Sequence, residues 1–563
     1  MKKQTKRILT LSCVGVLSAV MLGSTACVTK GNKADTDQTL EVFCAKLGYG
    51  STWCEAELNA FKEQAWVKEK YPELKVIFET NADRSAINTR LAAGEGRNSV
   101  DIIFSDSVGP FMGKDRNGTE YSCNLTDVVY KTLVPGEEVT VYDKLMDTYK
   151  EALMYYNVGE SALEEKEFEA YDFNWASGMR GILYNQQLLE RFGFTHAPRT
   201  SNELIEMSAV ISADQSDDYG KGYAFMWSGE ADYIGDMYNV WWAQYEGYQQ
   251  VYNYYNGIFY DGRNYVEKSS KIFEQEGRRE ALQALIDVMN NEDGYMYPYG
   301  QSVKFKAAQK SFLNGNGVFM VNGDWFAEEM KEDIAKSQYT IRMMKSPVIS
   351  TIIKKTPSIT NDAQLRTVID RIDGGCATVA EAQAVVAGAN DADISAVTAK
   401  DYETILAARL VIYSTGPWCS TCIPTYAAGK EVAFDFLRFL ATDIAQEVYM
   451  RETGGATLPF KYDVKAKNPA LYATFSDVEK DRYEMEFASV KSTTVLPKTS
   501  GFPLAKYGGL IDWSQFAFNG NTIVTFARAS GETAEDAFRR DINYWQNNDG
   551  KAWSEVLRLS GLL

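Results

Sequence analysis

Cys419 and Cys422, preceded by Trp418, have the W-C-x-x-C spacing of redox-active dithiols. That chemistry needs a strand before the pair and a helix opening at the first cysteine to lower its thiol pKa. Pro424 follows at once and the pair lies about 380 residues beyond the first strand, so the spacing is read as structural. A single histidine, His196, leaves no ready Ser-His-Asp set and disfavours zinc, which would need an all-cysteine site of irregular spacing. Neither a G-x-x-x-x-G-K-[ST] phosphate loop nor an H-E-x-x-H helix occurs. Asp391, Asp393 and Ser395 resemble part of a calcium loop, but Ala396 stands where glycine is required and Tyr402 where the bidentate Glu belongs. No metal and no cofactor are expected. Glycoside hydrolysis by paired carboxylates stays open, because 76 Asp and Glu cannot exclude it by counting.

The aromatic residues point elsewhere. They make up 13% of the chain, and many of its 34 Tyr and 11 Trp fall between Tyr223 and Tyr299, more than core packing alone requires. Tyr and Trp join an apolar face to a polar handle, and sugar rings present apolar C–H faces edged by hydroxyls. Several such rings would suit an oligosaccharide better than a monosaccharide.

The N-terminus sets the compartment. Lys2, Lys3, Lys6 and Arg7 precede an apolar run over residues 8–22, which ends in small residues before Cys27. This is the pattern of a signal peptide, residues 1–26, with a run too short to span a bilayer. Cys27 resembles the lipidated cysteine of the bacterial lipobox, although Ser24 stands where that motif prefers Leu; cleavage after Ala26 without lipid is the alternative. Residues 27–38, polar and without periodicity, suit a tether. Losing the signal removes four positive charges from the net −18, leaving −22, which disfavours nucleic acid and anionic lipid as partners. The cysteines beyond Cys27 are Cys44, Cys54, Cys123, Cys376, Cys419 and Cys422, an even number, so disulfides are possible without an assignable pairing.

The positioning elements follow from hydrophobic patterning. Residues 40–47 and 74–78 read as strands, 53–67 and 85–93 as helices, and 101–104 as a short buried strand. This βαβαβ order implies a parallel sheet covered by helices, with ligands at the carboxyl ends of its strands. The loops to watch are residues 48–52 and 105–108. Farther on, Thr200 and Glu203 have capping-box spacing before Leu204, Met207 and Ile211. Residues 318–321 read as a buried strand running into the turn Asn322-Gly323-Asp324, so Trp325 emerges just after a strand and a turn.

Five stretches, in order, carry a family resemblance: SVDIIFSD (99–106), GILYNQQLLERFGFTHAPRTSNEL (181–204), AAQKSFLNGNGVFMVNGDW (307–325), KEVAFDFLRFLATDIAQEVYMRETGGATLPF (430–460) and ASGETAEDAF (529–538). Together they resemble the family 1 extracellular solute-binding proteins, to which maltose-binding protein belongs. The resemblance implies two α/β lobes, each a mainly parallel sheet flanked by helices, joined by hinge strands and closing on ligand. It places the first lobe at residues 39–174 and 345–453, with an insertion near 351–407, and the second at 175–344 and 454–563. It implies a ligand site at Tyr49, Ser51, Thr52, Asp106, Trp175, Trp227, Tyr233, Trp242, Trp325, Trp418 and Phe518, with no catalytic residue. The implied role is that of a monomeric, lipid-anchored protein that captures an oligosaccharide for the permease subunits of an ABC importer. The competing readings are a surface glycoside hydrolase and a protein of the same fold that binds a non-sugar ligand.

Overall fold

The computed structural model describes residues 38–83, 85–106, 108, 111–113, 119–150, 168–214, 222–231, 233–289, 294–414, 419–487, 494–495, 504, 511, 523–529, 531–547 and 550–563. Cys27, Trp418 and Phe518 lie outside the described residues, as do residues 1–37 as a whole.

The first sheet is built from β1 (Thr39–Ala45), β2 (Lys75–Asn81) and β3 (Ile102–Ser105), with β1 central and parallel to both neighbours. Parallel neighbours require crossovers, supplied by the helices Thr52–Glu63, Ala65–Lys70 and Ser85–Ala93. The single helix expected over 53–67 is broken at Gln64, whose backbone is extended. Side chains alternate across β1: Leu40, Val42 and Cys44 pack with Phe61 and Trp53, while Phe43 and Ala45 pack on the other face with Ile87 and Ile103. Both faces are therefore dry, which explains why the strand reads as a nearly continuous apolar run.

The second sheet centres on β4 (Met179–Asn185). Two strands follow in a short hairpin, β5 (Phe259–Tyr260) and β6 (Tyr265–Val266). β7 (Phe319–Gly323) borders β4 on one side, and β8 (Ile341–Met344) and β9 (Val411–Ser414) share its other side, all three antiparallel. This corrects the expectation of a mainly parallel sheet in each lobe. Among the described residues, parallel pairing in the second lobe is limited to a short strand beside β9 and to isolated bridges joining Phe225 to Phe319 and Met296, and Thr200 to Val348. β10 (Ser420–Cys422) returns to the first sheet and pairs antiparallel with β3, while β11 (Thr494–Val495) runs parallel beside β9.

Packing also relocates the expected insertion. The helices Asp362–Asp373, Val379–Ala384 and Ala399–Arg409 bury Leu365, Ile369, Ala382, Tyr402 and Leu406 in the same cluster as Ile182, Trp241 and Leu285. They enlarge the core of the second lobe, so residues 345–414 do not belong with the first. The chain rejoins the first lobe at β10 and at the helix Lys430–Leu440, whose Val432, Phe436 and Leu440 pack against Leu40 and Phe61. Leu458 and Phe460 remain in that cluster, beyond the boundary expected at 453, and Val478 and Met485 are the first to pack with Leu183 and Met343. Residues 391–395 are structural: Asp391 is bound by Arg371 at 2.6 Å.

Thr200 caps the helix Ser201–Ala213, its hydroxyl accepting from Glu203 N–H at 3.2 Å. The reciprocal half of the capping box goes one residue earlier, because Glu203 accepts from the backbone and guanidinium of Arg199.

Candidate functional site

Strand ends from both sheets meet where the lobes face each other. After β1 the chain turns tightly, with Gly50 N–H donating to Leu47 O at 2.7 Å and Gly50 at φ 73°. Gly48 in this turn has no room for a side chain, since a Cβ would stand 2.6 Å from the indole of Trp325. Tyr49 is buried and its hydroxyl donates to Asp324 Oδ1 at 2.6 Å. Ser51 is buried at the start of the helix Thr52–Glu63 without a side-chain cap bond, and Thr52 is exposed. After β3, Asp106 is half-buried and faces Tyr233 and Cys419, whose pKa values its charge helps to raise.

β7 ends two residues later than the sequence suggests, at Gly323, and Trp325 follows one residue beyond. Gly323 is obligatory there: a Cβ would fall 2.1 Å from the same indole. Trp325 is 9% exposed and packs edge-on against Tyr49 (6.2 Å) and Tyr233 (5.7 Å). It thus stands between the lobes, delivered by β7 of the second and clustered with the buried side chains Tyr49 and Trp175 of the first. Tyr233 in turn meets Phe305 at 5.4 Å, and a shallow recess lined by Tyr233, Phe305 and Val321 leads to Trp227.

Arg180, on β4, was not foreseen from the sequence. Its guanidinium lies 4.6 Å from the ring centre of Tyr233, 5.5 Å from Trp325 and 5.6 Å from Tyr413, and it bonds Asp236 Oδ2 at 2.8 Å. Burial works against its charge, but Asp236 more than offsets this and leaves the pKa above the usual arginine value.

A second unforeseen arginine lies behind Trp325. Arg482 is fully buried, bonding Glu479 (2.7 Å), Glu486 (2.5 Å) and the carbonyl of Gly455 (3.1 Å), with Asp324 at 3.4 Å. One guanidinium faces three carboxylates, so it cannot neutralise them all. Desolvation pushes Glu479 up to about 8 and Glu486 to about 7, and raises Asp324 as well. The spacing Glu479, Arg482, Glu486 places all three on one helix face, a signal present in the sequence but indistinguishable there from a solvated ion-pair stripe.

Three expected ligand contacts are buried among protein side chains. Trp175 is fully buried, stacks on Trp53 at 5.0 Å and 16°, and donates its N–H to Ser420 O; it supports Tyr49 from behind. Trp242 is 1% exposed, spends its N–H on Gln275 and packs on Tyr254. Trp227 is buried against Gly300, with its N–H on Tyr297 O and the Arg528 guanidinium 5.2 Å from its ring centre. The site that assembles is therefore Tyr49, Asp106, Arg180, Tyr233, Asp236, Asp324 and Trp325.

This arrangement offers ring faces and hydrogen-bonding groups, and it engages two of its three carboxylates: Asp236 serves Arg180, and Asp324 serves Tyr49 and Arg482. Cys419 and Cys422 are buried at β10, not at a helix start, and Cys44, Cys54, Cys123, Cys376, Cys419 and Cys422 are all free thiols. Among the described residues no group of His, Cys, Asp or Glu is placed to hold a metal ion, and no helix is long and apolar enough to cross a membrane.

The comparisons agree with this fold. Similar folds include a family 1 extracellular solute-binding protein from Bifidobacterium longum subsp. infantis (15% identity, TM-score 0.51, covering 91% of this chain and 99% of that one). A chitin oligosaccharide binding protein is similar at 14% identity and TM-score 0.53, covering 92% and 98%. An ABC substrate-binding protein from Listeria monocytogenes in complex with cycloalternan is similar at 12% and 0.54, covering 93% and 99%. A search of the curated proteins finds no match to this sequence. The family model for bacterial extracellular solute-binding proteins matches residues 55–364, more than half of the chain. With its two-lobed α/β fold, this chain belongs to the bacterial extracellular solute-binding protein family and is a binding protein, not an enzyme.

Proposed function

We propose that the chain captures a carbohydrate, an oligosaccharide, between its lobes and delivers it to the permease subunits of an ABC importer. The observation that carries this reading is Trp325, set at the end of β7 against Tyr49 from one lobe and Tyr233 from the other, with Arg180 across their faces. An indole between two lobes gives a sugar ring a stacking surface when they part, and Asp106 and Tyr233 offer partners for its hydroxyls. The chitin-oligosaccharide and cycloalternan binders of similar fold support the ligand class. A thermal-shift screen of neutral mono- and oligosaccharides should raise the melting temperature with at least one oligosaccharide, since a ligand binding only the folded state stabilises it. A flat response to all saccharides, with a rise for peptides or polyamines, would reject it.

The same proposal includes anchoring through lipid on Cys27, motivated by the small residues before that cysteine and the polar stretch after it. Mass spectrometry of the N-terminal peptide from the membrane fraction should find Cys27 as the first residue, carrying acyl groups. Recovery from the medium with an unmodified Cys27 would remove the anchor and leave the binding reading intact.

A further inference from the structure

We infer that Arg180 and Asp236 make the position beside Trp325 selective for an uncharged sugar ring and exclude acidic ones such as uronates. This rests on the carbohydrate reading above. A guanidinium in a cleft ordinarily serves as a receptor for carboxylate or sulfate. Here its charge is already paired: Asp236 Oδ2 stands 2.8 Å from one nitrogen, the side chains are only 22% and 12% exposed, and Nε is buried without a hydrogen-bond partner among the described residues. Its remaining surroundings are the rings of Tyr233, Trp325 and Tyr413.

The backbone of Arg180 is fixed on β4, in register with Gly323 of β7 on one side and Tyr413 of β9 on the other, and its guanidinium is held by Asp236 and by the rings around it. Asp236 is the first residue of the helix Asp236–Glu246, where a carboxylate is favoured by the helix dipole.

Among the described residues the other charges near the site are mostly negative. Asp106 faces Tyr233 from the opposite lobe, and behind Trp325 lie Asp324, Glu479 and Glu486 around Arg482. Arg528 lies over the Trp227 ring, 5.2 Å from its centre. A ring carboxylate at Trp325 would therefore lose its hydration beside a guanidinium already paired with Asp236. Ring hydroxyls face no such penalty, since they can donate to the Asp106 and Asp236 carboxylates.

Titration calorimetry on the mature protein tests this with two probe sets. One is a panel of neutral oligosaccharides (malto-, cello-, xylo-, manno- and N-acetylchito-oligosaccharides), and the other is oligogalacturonates, in which every ring is charged. The wild type should bind at least one neutral probe, and oligogalacturonates at least about 100-fold more weakly. Asp236→Asn frees the guanidinium and should raise oligogalacturonate affinity by about tenfold or more. Wild-type binding of the two sets within about tenfold of each other, or a folded Asp236→Asn protein without the gain, would overturn the inference. If that variant does not fold, wild-type salt dependence decides: affinity for the neutral probe should be nearly constant from about 20 to 500 mM salt, and oligogalacturonate binding that appears at the low end and fades with salt counts against the inference. Failure of every saccharide to bind would reject the carbohydrate reading itself, an outcome distinct from loss of selectivity.

Discussion

Trp175→Ala should destabilise the protein by about 3–5 kcal/mol, the usual cost of emptying a buried tryptophan site, while saccharide affinity stays close to wild type. Trp325→Ala should show the reverse balance, weakening saccharide binding by about 2 kcal/mol or more, the scale of an aromatic hot spot. The difference lies in what surrounds each ring. Trp175 is 0% exposed, stacked on Trp53 and edged by Tyr49, with its N–H bound to the β10 backbone, so nothing but a cavity can replace it. Trp325 is lined by Tyr49 from one lobe and by Tyr233 from the other. Lobes can part along that seam and admit water, so its truncation should cost only about 1–2 kcal/mol of stability. Urea unfolding beside calorimetric titration separates the two. Equal losses of stability with affinity intact in both variants would mean that Trp325 is packing.

The same pair explains how far the sequence could be read. The βαβαβ order of the first sheet was legible because β1 and β3 are apolar on both faces and Gly94 punctuates the helix before β3. Trp325 was legible because a strand, a glycine and a polar turn precede it within a few residues. The burial of Trp175 and Trp242 was not legible, because an indole's composition is the same whether its faces meet a sugar or Trp53 and Tyr254. Only tertiary placement distinguishes the two. The insertion was assigned to the wrong lobe for a similar reason. Its helices show an apolar face but do not say which core that face joins, and Leu365 and Tyr402 settle it only by packing beside Ile182 and Trp241. Arg180 was invisible because Asp236 is 56 residues away, and for Arg482 the helix spacing shows Glu479 and Glu486 but neither its burial nor its bond to Gly455, 27 residues away. Periodicity carries no information on such pairs.

Arg482→Met should cost at least about 3–5 kcal/mol at pH 8, because it leaves Asp324, Glu479 and Glu486 buried without a counter-charge. The loss should shrink as pH falls, since the carboxylates can then be neutralised by protons instead. In the wild type the same physics gives a direction. Burial raises Glu479 to about 8 and Glu486 to about 7, whereas an unfolded glutamate titrates near ~4.3. The folded state thus holds protons that the unfolded chain releases, so this contribution is complete below about pH 4 and is lost as pH rises through 7 and 8. The melting temperature should therefore fall between about pH 5 and 8, and Glu479→Gln, whose amide is neutral throughout, should flatten that fall. The groups facing Glu479 reinforce the sign: Asp324 and Glu486 raise its pKa, and only Arg482 lowers it. Melting curves of the wild type, Glu479→Gln and Arg482→Met across that range decide the matter. An unchanged slope in Glu479→Gln would show that the carboxylate is ionised in the fold and that Arg482 alone holds the seam behind Trp325.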